Sequence, residues 1–333
     1  MKNKITIMEV CGTHTMNIAR FGLRDLLPNN INVISGPGCP VCVTSSSDIN
    51  NALVLAERDD VIITTFGDMV RIPCNGRMLM DYKNVRILYD PLDSIELAKN
   101  NADKKIVFLG VGFETTTPIV ASIIIRANEL GLDNFTVLCM NKVVSPALEL
   151  ILNDKQNNID GFILPGHVAA ITGSSYFDFI TGLSGRGVIS GFDAKGIMDS
   201  IEKLSLMITR NEFGVVNNYK GIVKSHGNEK AKKMVKEVFD IVDSDWRGIG
   251  VLKRSGLKIL EKYIRFDAKE RFNIKERNIK DPHSCLCGEV LLGKKIPTDC
   301  VLYGKQCVPS SPVGPCMVSS EGTCSAYYKY ISN

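Results

Sequence analysis

Short β-branched runs alternate with helix-length stretches over the first 213 of 333 residues, and this alternation restricts the fold more than any other feature. Strands are expected at Ile5 to Val10, Asn32 to Ser35, Val61 to Thr65, Val85 to Tyr89, Lys105 to Gly110, Thr136 to Met140, Asp160 to Leu164 and Val188 to Ser190. Helices are expected near 14–26, 46–58, 92–101, 117–130, 145–153 and 193–210, several opened by Ser, Thr or Asp. Such units build parallel sheets, because successive parallel strands need a long crossover. The expectation is an α/β protein with two parallel-sheet domains of similar size, 1–104 and 105–213, hinged at Asp103 to Lys105. From 214 to 333 a basic helical stretch leads into a glycine-, proline- and cysteine-rich tail, expected as a third, helical domain. A tail of that composition builds little apolar core and needs a metal or a neighbouring domain to order it.

Charge and hydropathy exclude several classes of function. A net charge of +4 is small against 40 basic and 36 acidic groups, so no wide basic face for nucleic acid is expected. The charge is unevenly spread: 19 basic against 23 acidic groups up to Phe213, and 21 against 13 beyond it. The basic excess fits a solvated helix such as Glu229 to Lys236 better than a dedicated acidic partner. Apolar stretches such as Ile119 to Ile125 fall far short of the roughly 20 residues that span a bilayer, so no membrane partner is expected. The opening MKNKITIMEVCGTH reads as a strand rather than a cleavable signal, giving a cytoplasmic expectation. Eleven cysteines in such a chain point to metal or redox work rather than a disulfide framework.

The cysteines fall into two groups, and ligands of open α/β sheets bind beyond the carboxyl ends of the strands. In GPGCPVC, Cys39 and Cys42 form a C-x-x-C pair directly after a strand and before a helix. Two cysteines at that spacing close a disulfide that stores two electrons, and a helix N-terminus favours thiolate. Half of a zinc site is the weaker reading. Cys11 opens CGTHT at the end of the first strand, beside His14, on a strand expected next to the one preceding Cys39. GVGFETTTP presents Glu114, LPGHV presents His167 and TFGDM presents Asp68 at further strand ends. The threonines after Glu114 are explained as a helix cap, whereas Glu114 itself is not, and His167 suits proton transfer or a loop tie. Cys74 and Cys139 read as small apolar residues.

Cys300, Cys307, Cys316 and Cys324 supply the four thiolates of a [4Fe-4S] cube or a zinc tetrahedron. Their spacing is wider than zinc sites favour, so the cluster leads, with Cys285 or Cys287 able to replace one ligand.

These motifs in this order, CGTHT, GPGCPVC, TFGDM, GFETT, PGHV and a tail running from Asp299 through CMVSSEGTCSAYY, resemble the HypD family of [NiFe]-hydrogenase maturation factors along nearly the whole chain. The resemblance implies two similar parallel-sheet α/β domains and a C-terminal cysteine-rich iron-sulfur part holding a [4Fe-4S] cluster. It implies a scaffold that works with a small HypC-type chaperone and a cyanide-donating HypE-type protein to assemble the Fe(CN)2CO unit. Carried onto this chain, it makes Cys11 the thiolate ligand of the iron, shared with a chaperone cysteine, and Cys39 and Cys42 the redox pair. Cys300, Cys307, Cys316 and Cys324 then hold the cluster, while His167 and Glu321 match polar residues important in relatives. Glu114 or His167 would manage protons. Met16 stands where relatives carry a second histidine, so a role for that histidine does not transfer. Such a scaffold stands between a binding protein and an enzyme. Two rival expectations are an iron-sulfur-dependent protein disulfide oxidoreductase and a zinc-stabilised interaction module.

Overall fold

The computed structural model describes residues 4–275, 277–282 and 284–331. Nine parallel strands form two sheets. The strands are β1 (Ile5–Glu9), β2 (Ile31–Ser35), β3 (Val61–Thr65), β4 (Val85–Ile87), β5 (Lys105–Gly110), β6 (Phe135–Cys139), β7 (Gly161–Pro165), β8 (Arg186–Ser190) and β9 (Gly214–Asn217). One sheet runs β2-β1-β7-β8-β9 and the other β4-β3-β5-β6, every pairing parallel. Ile7, Met8, Ile63, Val107 and Ile163 are fully buried, as strands covered by helices on both faces require. Ser45 caps the helix Ser46–Ala56 by accepting from Asp48 N at 3.1 Å, and Asp193 caps Ala194–Thr209.

All eight expected strands are present, and the expected helices lie where the pattern put them. The division at Asp103 to Lys105 does not follow the sheets. Lys105 begins β5, which pairs β3 within one sheet, while β1 pairs β2 on one side and β7 on the other. The units are thus interleaved: the four-stranded sheet is inserted between β2 and β7. Periodicity locates strands, but it carries no information about which strands pair across more than a hundred residues.

The stretch after Phe213 also departs from expectation. It begins with β9, the edge of the five-stranded sheet, and after the expected basic helix Glu229–Val238 it forms an antiparallel hairpin, β10 (Phe239–Trp246) and β11 (Gly250–Ile259). A register shift between Val242 and Ser244, with much of both strands exposed, hides the two-residue period in the sequence. Lys142, 2% exposed, pins this hairpin to the first helix after the C-x-x-C pair: its Nζ donates to Ser244 Oγ (2.6 Å), Asp245 O (2.9 Å) and Asp48 Oδ2 (3.2 Å). Among the described residues no helix is long and apolar enough to cross a membrane.

Candidate functional site

The carboxyl ends of β1, β2, β7 and β8 meet on one edge of the five-stranded sheet. Cys11, with extended backbone (φ −149°, ψ 124°), precedes the helix Gly12–Arg20. Glu9, at the end of β1 and fully buried, holds this loop: Oε2 accepts from Cys11 N at 3.2 Å and Oε1 from the Thr15 hydroxyl at 2.5 Å. Burial raises the Glu9 carboxyl to about 7 against these hydrogen bonds. The GPGC loop after β2 lies directly on the Cys11 loop, with Gly12 N donating to Gly38 O at 3.0 Å. A side chain at Gly38 would collide with the Cys11 backbone, so glycine is required there for the approach itself.

Cys39 and Cys42 are joined as a disulfide, their Cα atoms 5.3 Å apart. Cys39 precedes the short helix Pro40–Val43, and Cys42 N donates back to its sulfur at 3.2 Å. Both cysteines are buried.

Two histidines flank one ring on this edge. The His14 and His167 rings stack on Phe192, at centroid distances of 4.7 and 3.8 Å. His14 Nε2 also hydrogen-bonds Gly191 O at 2.8 Å. His14 is fully buried, which lowers it to about 4, whereas His167 is exposed and lowered by partial burial alone. From the tail, Glu321 Oε1 accepts from the Thr13 hydroxyl at 2.8 Å. A Cβ on Gly12 would stand 2.5 Å from that of Glu321, so the carboxylate lies over the start of the Cys11 helix. Asp68 joins through Ser319, whose hydroxyl donates to its Oδ2 at 2.7 Å and whose Oγ accepts from Glu321 N at 3.2 Å. Burial first and the Glu321 charge second push the Cys11 thiol up to about 12.

The six tail cysteines line one small cavity of about 20 Å³. Cys285 and Cys287 thus join Cys300, Cys307, Cys316 and Cys324. The Cys316 sulfur is stabilised as thiolate by hydrogen bonds from Cys287 and Cys324, which are raised correspondingly. The turn Pro315–Val318 packs against Pro40–Val43, and Cys39, Cys42, Cys287 and Cys316 share one buried cluster with Trp246. Six thiols in an apolar shell match the donor chemistry of an iron-sulfur cluster, which takes four. No group of three or more His, Cys, Asp or Glu among the described residues is arranged around a single metal ion.

Glu114 is not brought into this group. Its Oε1 accepts from Val144 N (3.0 Å) and from the Tyr176 hydroxyl, and it faces a separate cavity of about 370 Å³ with Tyr176, Ile171, Val235, Phe239 and Leu257. Burial raises its carboxyl. Cys74 and Cys139 donate to the carbonyls of Ser46 and Leu257 and line neither site.

A family model described as the hydrogenase formation family HypD (hypA) matches residues 1–331. The chain belongs to the HypD family. Similar curated proteins carry the same name: the hydrogenase maturation factor HypD of Azotobacter vinelandii is 40% identical, over 99% of this chain and 90% of its own length. HypD2 of Bradyrhizobium diazoefficiens is 40% identical over 97% and 88%, and HypD of Escherichia coli 39% over 98% and 89%. Within this HypD chain several site residues have roles that no local pattern assigns, although Thr13 and Ser319 lie inside the CGTHT and CMVSSEGTC motifs. Thr13, Ser319 and Phe192 act through contacts that cross as many as 308 positions, and Glu9 reads as one more strand residue until its burial is known.

Proposed function

We propose that this chain is a hydrogenase maturation scaffold that holds iron at Cys11 while cyanide and carbon monoxide ligands are installed, in the cytoplasm. The observation that carries the reading is the meeting of the Cys11 loop, the GPGC loop and Glu321 at one sheet edge. Ferrous iron bearing cyanide and carbonyl takes soft donors, and a strand-end thiolate at Cys11 supplies one, shared with a cysteine of a small HypC-type chaperone. Glu9 fixes the loop and Glu321 lies across the helix start, where it can take the proton that Cys11 releases when iron binds. His167 is the exposed titratable group of the same edge.

Freeing cyanide from a carbon–sulfur bond on a HypE-type donor needs two electrons. Cys39 and Cys42 as a dithiol provide both electrons and two protons, leaving donor thiol, hydrogen cyanide and the Cys39–Cys42 disulfide. Cys300, Cys307, Cys316 and Cys324 are proposed to hold a [4Fe-4S] cluster, with Cys285 or Cys287 able to replace one of them. Such a cluster, when bound, supplies electrons singly. The contact of Pro315–Val318 with Pro40–Val43 places Cys316 beside the disulfide that must be reopened.

Infrared spectra of the chain purified anaerobically with its chaperone test the scaffold: cyanide and carbonyl bands are expected, lost in Cys11→Ser. Normal cyanide loading in Cys39→Ser would remove the redox role. Disulfide turnover by the isolated chain, without diatomic bands, would select the oxidoreductase reading, which the buried Cys39–Cys42 disulfide beside Cys316 keeps in play.

A further inference from the structure

The turn between β10 and β11 lies at the seam of the two thiol sites. Arg247 N donates to Val43 O at 3.0 Å and Trp246 bridges Thr44, which fastens the turn to the end of the helix carrying Cys42. Its other side meets the tail. A Cβ on Gly248 (φ +69°) would stand 2.6 Å from the Cα of Gly288, the neighbour of Cys287, so the two backbones cross in direct contact. Only glycines permit this crossing, and it sets the Arg247 backbone between the segments that carry Cys42 and Cys287.

That side chain is 2% exposed, yet it is poorly neutralised. Its ion-pair partner is Asp281, at 3.4 Å from Nε to Oδ1, and Asp281 is also committed to the Ser46 hydroxyl (2.6 Å) and Gly248 N (2.9 Å). Nη1 is buried with no acceptor. Taking a guanidinium out of water costs several kcal/mol, which a long ion pair to a shared carboxylate does not offset. Anionic sulfur in the neighbouring cavity would supply the compensation that the carboxylate lacks. Among the described residues no basic side chain lines the cysteine cavity, and Arg247, next to the Gly248–Gly288 crossing, is a buried cation beside its wall. Its charge favours thiolate at Cys74, Cys285 and Cys287, although burial at Cys74 and Cys285, and at Cys287 the hydrogen bond to Cys316 followed by burial, raise the three thiols overall.

We propose that Arg247 is the counter-cation of the six-cysteine cavity, a positioning residue whose buried charge stabilises the most negative state of the sulfur centre and thereby sets its reduction potential beside the Cys39–Cys42 pair. Reduction adds one electron to a centre already held by anionic sulfurs. A fixed positive charge in low dielectric makes that step easier, and removing it makes the step harder. The inference rests on the proposed cluster only for the identity of the centre.

Wild-type, Arg247→Gln, Arg247→Lys and Asp281→Asn chains, purified anaerobically at full length, test it by redox titration with dithionite followed in visible absorption, beside iron, labile sulfide and melting temperature. Arg247→Gln should titrate at a more negative potential than wild type, Arg247→Lys close to wild type, and Asp281→Asn at a more positive one, because it frees the same cation from its carboxylate. An Arg247→Gln chain with wild-type iron content and wild-type potential overturns the proposal and leaves Arg247 a structural pin. Should Arg247→Gln fail to fold, the sign of the Asp281→Asn shift decides, a negative or absent shift being fatal. Wild-type protein without iron and sulfide refutes the cluster instead. The same variants are then compared by alkylation of Cys285 and Cys287 against glutathione buffers, where the signs expected for Arg247 are unchanged.

Discussion

Thr13 donates its hydroxyl to Glu321, 308 positions away, and so sets a carboxylate from the tail over the helix that begins at Cys11. Glu321 charge is the second cause, after burial, of the raised Cys11 thiol. Glu321→Gln removes that charge while keeping the side chain's shape, so more thiolate is present at a given pH. Iodoacetamide should modify Cys11 roughly two- to fivefold faster at pH 8, followed by peptide mass spectrometry. An unchanged rate would mean the carboxylate does not act on the thiol.

Glu9 and His14 make opposite contributions to stability against pH. Folding raises Glu9 from 4.5 to about 7, so the folded state keeps a proton that the unfolded chain releases, and stability falls as pH rises through that window. Folding lowers His14 from 6.5 to about 4, so the unfolded chain takes up a proton first, and stability falls as pH drops through that window. Each effect amounts to roughly 3 kcal/mol across its window. Urea midpoints at pH 5 and pH 7 should separate them. Compared with wild type, Glu9→Gln tilts toward greater stability at pH 7 and His14→Phe toward greater stability at pH 5. Other buried acids such as Glu114 add the same background to both variants, so equal tilts would refute the assignment.

Lys142 joins the sheet edge to the hairpin through a buried ion pair with Asp48. In Lys142→Met, Asp48 is left with Lys269 at 3.9 Å. The loss should be about 3 kcal/mol by urea denaturation, partly recovered when Asp48→Asn is added. A loss below the error of the measurement would show that the hairpin is held by packing alone.

Serine substitutions at the six tail cysteines should divide them. Cys300→Ser, Cys307→Ser, Cys316→Ser and Cys324→Ser are each expected to lose most of the iron and labile sulfide, and Cys285→Ser and Cys287→Ser to keep it. Loss in Cys285→Ser or Cys287→Ser, with retention in one of the other four, would identify which ligand is replaced. Iron retained in all six would place the cluster, or any other iron, elsewhere in the chain.

The eight expected strands and most helix positions were legible because β-branched runs and capping residues act locally. Cys11, Cys39, Cys42, His167 and Glu321 were legible as motifs, and four of them follow strand ends of one sheet. The interleaving of the sheets was not, since β1 and β7 meet through hydrogen bonds that any backbone can make. The hairpin escaped because Val242 to Ser244 breaks its period. Cys285 and Cys287 were legible only as alternatives to one of the four ligands, whereas folding lines the same cavity with all six. Glu114 ends a strand of the other sheet, so a strand-end acid resembling the rest faces a different cavity. Arg247 follows a tryptophan in a turn, with no charge pattern around it to mark its burial.

The pairing of β1 with β7, and of the Cys11 loop with Glu321, carries a consequence for the order of synthesis. Cys11 is synthesised some 150 residues before the strand at its side and 310 residues before the carboxylate above it. A growing chain therefore has the Cys11 thiol before it has the pocket. On the proposed reading, iron would be held at Cys11 only once β7 and Glu321 have been made, and a nonsense mutation just before Glu321 would abolish loading while leaving Cys11, Cys39 and Cys42 untouched.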